Sequence, residues 1–162
     1  MLNPTITKYF PDEISNIIDI YFKEQEEEKN KTIEEIRLRT DRPIQLKFNK
    51  YEIILNKIVN QEDILRTIQF VCNNSIHSYQ TQICNGFITI KGGHRIGITG
   101  NCVIENNVVK NINYISSLNF RIAKEIKGSS NKILKYVLDL ENNTVYTTLI
   151  VSSPGVRKNY NT

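Results

Sequence analysis

The sequence has 162 residues, a hydrophobic fraction of 40%, a charged fraction of 23% and a formal net charge of +4. These values are typical of a soluble globular chain with its own core and exclude a disordered one. The basic residues are scattered, and no stretch reaches the ~18 apolar residues of a membrane span, so the sequence predicts neither nucleic-acid binding nor a span. The N-terminus lacks the basic and apolar regions of a signal peptide, and we expect a cytoplasmic location.

The first third of the chain predicts a helix followed by three strands. Residues 11–29 carry apolar side chains at helical spacing, and Pro11 suits a helix start. From residue 33 the apolar period changes to two, and turn signals at Asp41-Arg42-Pro43 and Asn49-Lys50 divide the alternation. This pattern predicts a three-strand antiparallel meander.

The middle of the chain predicts two helices and a second antiparallel set. Helical spacing returns over residues 60–73, with Asn60 as N-cap and Asp63 three residues later. A short helix is expected over residues 78–84. Strands are expected over residues 87–90 and 94–105, with one or two more over residues 108–123.

The last segment predicts the start of a different module. Gly128-Ser129-Ser130 is a flexible joint, residues 131–138 indicate a short helix, and residues 147–151 are typical of a buried parallel strand. With no sheet to join, that strand is expected to be exposed or loosely packed. The predicted fold class is therefore α+β. Antiparallel sheets with packed helices form a domain over residues 1–128, and residues 129–162 begin an α/β core.

The residues after that strand have the position, but not the full composition, of a phosphate-binding loop. A working loop reads G-x-x-x-x-G-K-[ST]: its backbone N–H groups wrap phosphate, its Lys reaches the outer phosphates and its hydroxyl binds Mg²⁺. Arg157 and Asn159 replace the second Gly and the hydroxyl residue, and a simple surface turn is the alternative. The candidate nucleotide-binding residues of this degenerate loop are Ser152, Ser153, Pro154, Gly155, Val156 and Lys158.

One inserted base is our hypothesis for the origin of the replaced residues. Inserting an A before the GGA codon of a Val-Gly-Lys-Thr-Thr-Ile sequence gives the observed residues from Val156 to Thr162. The hypothesis is a frameshift or a sequencing error in an AT-rich gene, and the chain as given is expected to lack ATP hydrolysis. The flanking DNA tests it, because an open frame encoding a helix and a Walker B strand must follow.

Three segments resemble the stage III sporulation protein AA family of endospore-forming bacteria. They are residues 34–43, 86–100 and 115–128. The resemblance implies an N-terminal α+β domain before a RecA-like core, as in secretion-type hexameric ATPases, with ATP and Mg²⁺ bound by the intact family member. It also implies a mother-cell motor that self-associates into a ring and serves the membrane proteins of the channel to the forespore.

Two arginines, Arg95 and Arg121, are the candidates for a catalytic role. Related ATPases place N-domain arginines near nucleotide bound by a neighbouring subunit, so the resemblance implies that either side chain stabilises phosphate charge in trans. A structural ion pair with Glu125 or Glu105 is the alternative.

The histidines and cysteines indicate structural roles, and no metal site is predicted. His94 follows Gly92-Gly93, and we expect it to hydrogen-bond a loop, since no second ligand stands at metal-binding spacing; His77 has the same standing. The cysteines match no zinc or redox pattern and are expected to be buried free thiols. They are Cys72, Cys84 and Cys102.

Two rival functions stay open, a stand-alone interaction module and a small basic nucleic-acid binder. Arg37 and Arg39 lie on the polar face of a predicted strand and suit a solvated or intersubunit salt-bridge surface. Only the nucleic-acid binder predicts DNA or RNA binding with a steep salt dependence.

Overall fold

A computed structural model of the chain describes residues 4–24, 32–124, 128, 131–149 and 151. The chain divides into two compact units, Met1–Ala123 and Lys124–Thr162. The elements of the first unit are α1 (Pro4–Thr7), α2 (Asp12–Glu24), β1 (Ile33–Arg39), β2 (Arg42–Phe48), β3 (Glu52–Val59), α3 (Gln61–Val71), a 3-10 helix (Ile76–Tyr79), α4 (Gln80–Cys84), β4 (Phe87–Ile90), β5 (His94–Glu105) and β6 (Val108–Arg121). Those of the second unit are α5 (Asn131–Val137), β7 (Leu138–Asp139) and β8 (Thr144–Val145).

The six longer strands form one antiparallel sheet in the order β3-β2-β1-β6-β5-β4. The predicted α+β class and the predicted meander are confirmed, and residues 108–121 form a single strand. The sequence indicated two separate sets of strands, whereas β1 pairs with β6 as well as β2 and joins them, with Ile36 opposite Phe120. A pairing between strands so far apart in sequence leaves no local signal.

The helices of the first unit contribute apolar side chains to a core on one face of the sheet. In α2 the buried residues are Ile14 and Ile18, one turn apart, and in α3 Ile64 and Ile68 repeat that spacing. The strand residues that complete this core alternate with polar ones and include Ile36, Leu38, Ile44, Leu46, Ile88, Ile96, Leu118 and Phe120. We call the other side of the sheet the open face, because its side chains are exposed or only half-buried.

The start of α3 has the predicted cap. The Asn60 side chain accepts a hydrogen bond from the Asp63 N–H at 2.8 Å, and the Asp63 carboxylate accepts from the Asn60 N–H at 2.9 Å. These reciprocal bonds satisfy two N–H groups that have no partner within the helix. Lys57 of β3 adds its ammonium at 3.5 Å from Asp63 and 2.8 Å from Glu13.

The hairpin of β5 and β6 is longer than the strands beside it. Its register shifts between Thr99 and Gly100, where a Cβ on the glycine would overlap the carbonyl oxygen of Tyr114. Glycine is needed at this bulge because the two backbones approach too closely for a side chain. The predicted strands end, as expected, at the Asn106-Asn107 turn.

The second unit differs from the prediction at its end. The predicted helix is confirmed as α5, but the described residues from 146 onward have no regular structure. Leu149 is 87% exposed and Val151 is 82% exposed. The strand predicted over residues 147–151 is therefore wrong for the described part, whereas the expectation that its apolar side chains are exposed is confirmed for Leu149 and Val151. The candidate loop residues 152–158 lie outside the described residues, and the loop stays a prediction.

Candidate functional site

The two candidate arginines lie side by side on the open face. Arg95 of β5 is directly opposite Arg121 of β6, and both side chains are exposed. Directly opposite residues in an antiparallel pair have Cβ atoms about 5 Å apart, and like charges at that spacing repel. Neither guanidinium forms an ion pair with any residue that the structure describes. The pair is thus a local concentration of positive charge, which we call the arginine pair.

An aromatic ring supports one member of the arginine pair. The Arg95 Cζ atom lies 4.1 Å from the centroid of the Phe87 ring. Phe87 of β4 is opposite Gly97 of β5, which has no side chain on this face to separate the ring from the guanidinium. The cation–π contact stabilises an exposed guanidinium by about 0.5–1 kcal/mol. Because a ring face accepts no conventional hydrogen bond, the Arg95 N–H donors stay available for a ligand.

The carboxylate nearest to the arginine pair in the sheet is already paired with other groups. Glu35 of β1 is opposite Arg121, but its Oε2 lies 2.8 Å from the Arg37 guanidinium and accepts a 3.3 Å hydrogen bond from the Asn119 amide. Lys47 adds an ammonium at 3.9 Å. Burial raises the pKa of Glu35, but these partners, above all Arg37, outweigh it and the pKa lies below its ordinary value.

The alternatives proposed for these arginines are partly corrected. Glu105 cannot pair with Arg95 or Arg121, because it lies at the other end of β5, about 33 Å along the strand. Glu125 lies outside the described residues. Arg37, predicted to lie on a solvated or intersubunit salt-bridge face, forms salt bridges within the chain, to Glu35 at 2.8 Å and to Glu52 at 3.1 Å.

His94 has the structural role that its position predicts. Its side chain is 4% exposed, and Nδ1 accepts a 2.9 Å hydrogen bond from the Ala123 N–H. Burial lowers the pKa of the imidazole. His77 is exposed in the 3-10 helix. No group of three potential metal ligands is found within the described ranges.

The expectation of three buried thiols is wrong for two of them. Cys72 is fully buried, and burial raises its pKa to about 11. Cys84 is half-buried, and Cys102 is exposed. Cys102 lies on the part of the β5–β6 hairpin that extends beyond β4, opposite Ile112. The described thiols form no disulfide.

Sequence reasoning named both arginines as candidates but did not predict that they are opposite each other. Alternation places Arg95 and Arg121 on polar faces of their strands, yet only the register shows that they are opposite each other. It also missed Phe87, which looked like an ordinary strand residue. The carbonyl oxygen of the Asn119 side chain, near the centre of the open face, is buried and has no hydrogen-bond partner among the described residues.

The segments that form this face match a known family. The family model for "Sporulation stage III, protein AA" matches residues 11–160. The chain is also 31% identical over 153 residues to stage III sporulation protein AA of Bacillus subtilis (strain 168), an alignment that covers 94% of this chain and 48% of that relative. The chain belongs to the stage III sporulation protein AA family. It spans about half the length of the curated relative, and membership supports a role in sporulation.

The family segments now have places in the fold. Residues 34–43 lie on β1 and the start of β2, residues 86–100 on β4 and β5, and residues 115–121 on β6. Arg95 and Arg121 fall within two of these segments. None of the helices in the described ranges has the length and apolar character needed to cross a membrane.

Proposed function

We propose that this chain carries the N-terminal, subunit-contact domain of a sporulation ATPase, and that the arginine pair contacts phosphates of nucleotide held by a neighbouring subunit. The observation that carries the proposal is that Arg95 and Arg121 are exposed and directly opposite each other. Neither has a counter-ion in the described part of the chain, and the chain belongs to this family. The intact protein would bind ATP and Mg²⁺, form a ring in the mother-cell cytoplasm and energise the channel to the forespore.

The arginine pair is better satisfied by a phosphate group than by water, because phosphate supplies both hydrogen-bond acceptors and negative charge. Each guanidinium offers up to five N–H donors in a planar fork, and a phosphate group offers several acceptor oxygens. An anion between the two arginines removes their mutual repulsion and gains charge-assisted hydrogen bonds. These bonds strengthen at an interface from which water is excluded, because the local dielectric constant falls.

The degenerate loop is proposed to support little or no catalysis by this chain alone. Arg157 would obstruct the backbone wrap around phosphate, and Asn159 is a poor ligand for Mg²⁺. The residues left to face a nucleotide are Ser152, Ser153, Pro154, Gly155, Val156 and Lys158. The contribution of the chain to turnover is therefore made in trans, through Arg95 and Arg121.

The test is a nuclear magnetic resonance titration of the purified chain with ATP and, separately, with adenosine. We expect ATP to shift the resonances of Arg95, Arg121 and Phe87, and adenosine to leave them unchanged, because phosphate is the recognised group. Arg39→Ala is the control variant, and it should leave the ATP response of these resonances unchanged, since Arg39 is an exposed arginine elsewhere on the same sheet. Equal responses to ATP and adenosine would contradict the proposal.

Two further measurements separate the rivals. Magnesium-dependent ATP hydrolysis by the purified chain would contradict the proposed lack of turnover. Steeply salt-dependent binding of DNA or RNA, with no response to ATP, would favour the nucleic-acid binder instead. A chain that binds neither ATP nor nucleic acid would favour the stand-alone interaction module.

A further inference from the structure

The end of β6 is held by one bond on each side. On one side the Ile122 N–H donates to the Glu34 carbonyl of β1 at 2.8 Å, which continues the sheet ladder. On the other side the Ala123 N–H donates to His94 Nδ1 at 2.9 Å. Ala123 is the last residue of the first unit. The side chain of His94 therefore replaces a backbone acceptor at the point where the chain leaves the sheet unit.

The turn before His94 is shaped to admit its ring. A Cβ on Gly92 would lie 2.8 Å from His94 Nε2, closer than real Cβ contacts allow. Gly92 also has a φ of +92°, a conformation that side chains disfavour. A Cβ on Gly93 would lie 3.8 Å from the Ala123 Cβ, so the turn and the exit segment are in contact range. The imidazole fills the space that these glycines leave open.

The bond to Ala123 requires one protonation state of the ring. Nδ1 accepts a hydrogen bond only when the proton of the neutral imidazole is on Nε2, because in imidazolium both nitrogens are donors. Burial lowers the pKa of His94 and favours the neutral form. The described charged residues nearest in sequence to His94 are Lys91 and Arg95, and those nearest to Ala123 are Arg121 and Lys124. Glu34 of β1 accepts the bond from Ile122 through its carbonyl.

We propose that His94 is a latch for the exit segment, residues 122–123. While its Nδ1 accepts from Ala123, the segment is fixed to the β4–β5 turn as well as to β1. When that acceptor is lost, the segment opens while the six-stranded sheet stays folded. His94 is thus a positioning residue, and it contacts no candidate ligand. The latch does not depend on nucleotide binding, so it stands or fails separately from the proposed function.

The test is hydrogen exchange of the Ala123 amide in the 162-residue chain, compared with the Phe120 amide as a reporter of the sheet. His94→Asn keeps an acceptor at the δ position, and His94→Leu fills space without one. We expect His94→Leu to lower the Ala123 protection factor about tenfold, the equivalent of one hydrogen bond, with Phe120 unchanged. His94→Asn should restore most of that protection. Equal protection of Ala123 in the wild type and His94→Leu would overturn the proposal.

A pH series on the wild type keeps the proposal testable if a variant does not fold. Protection of Ala123, corrected for the intrinsic exchange rate, should fall as the pH drops below the ordinary imidazole pKa of 6.5 toward the lower value of the folded chain. Phe120 should stay protected over the same range. Loss of protection at both amides together would show global unfolding and contradict a local latch, and constant protection at Ala123 would also contradict it.

Discussion

Phe120 and Arg121 are neighbours on β6, yet they lie on opposite faces of the sheet. Phe120 is fully buried opposite Ile96, and Arg121 is exposed opposite Arg95. Neighbouring cross-strand pairs therefore differ: Ile96 and Phe120 stabilise the fold, whereas Arg95 and Arg121 repel each other. On these strands stability is concentrated on the helix-covered face, which leaves the open face free to carry charge for another purpose.

The open face itself is divided in the same way. Around Glu35, positive and negative groups bind one another and their charges cancel within the chain. The arginine pair has no such partners among the described residues. The arginine pair differs from the groups around Glu35 because no described residue neutralises its charge, and this difference is the basis of the proposed phosphate contact.

The largest effect is expected on the covered face. Phe120→Ala removes a buried ring whose centroid lies 4.5 Å from that of Phe10, and it leaves a cavity. We expect a loss of about 3–5 kcal/mol in the free energy of unfolding, measured by urea denaturation. A loss below about 1 kcal/mol would show that the covered face is not the main source of stability.

A smaller loss is expected where the open face is internally paired. Glu35→Gln removes the carboxylate that Arg37 and Lys47 share, while Arg37 keeps its bond to Glu52. Because the site is half-buried, we expect a loss of about 1 kcal/mol in the free energy of unfolding. Since the folded pKa is lowered, the stabilisation by Glu35 is present above its ordinary pKa of 4.5 and is lost as the pH falls through the lower folded value. The more exposed Glu52→Gln is the control, and an equal loss there would contradict the account.

His94 is a buried polar group on the covered face, and its effect is expected to depend on pH. Because burial lowers the folded pKa, its contribution is complete above the ordinary value of 6.5 and is lost as the pH falls through the window below it. Unfolding free energies measured across that window should fall in the wild type as the pH drops, and His94→Asn should remove this slope. If the unfolding free energy of the variant falls with pH as in the wild type, another group causes the pH dependence.

The smallest effect is expected at the arginine pair. Arg121→Ala removes an exposed side chain with no described ion pair and relieves its repulsion with Arg95. We expect the unfolding free energy to change by no more than about 0.5 kcal/mol, in either direction. Arg37→Ala, which breaks bonds to Glu35 and Glu52, should cost more. A larger loss for Arg121→Ala would show a structural ion pair.

Local patterns predicted most of the elements and little of their assembly. The capping box at Asn60 and Asp63 and the alternation in β1 are properties of neighbouring residues, so the sequence contains them. The pairing of β1 with β6 and the opposition of Arg95 and Arg121 depend on register between distant strands. The apolar residues 147–151 predicted a strand, but a strand needs a partner, which no local pattern can guarantee.

The affinity of the chain for tripolyphosphate tests most directly whether the arginine pair binds phosphate. It is measured at fixed low salt for the wild type, the Arg95→Ala/Arg121→Ala double variant and the Arg39→Ala control. Because charge-assisted hydrogen bonds contribute about 1.5–3 kcal/mol, we expect the double variant to bind tripolyphosphate at least about tenfold more weakly than the wild type. The control should bind like the wild type, and all three should unfold within about 1 kcal/mol of one another. Equal affinities in the wild type and the double variant, or an equal loss in Arg39→Ala, would contradict a phosphate-binding role for the arginine pair.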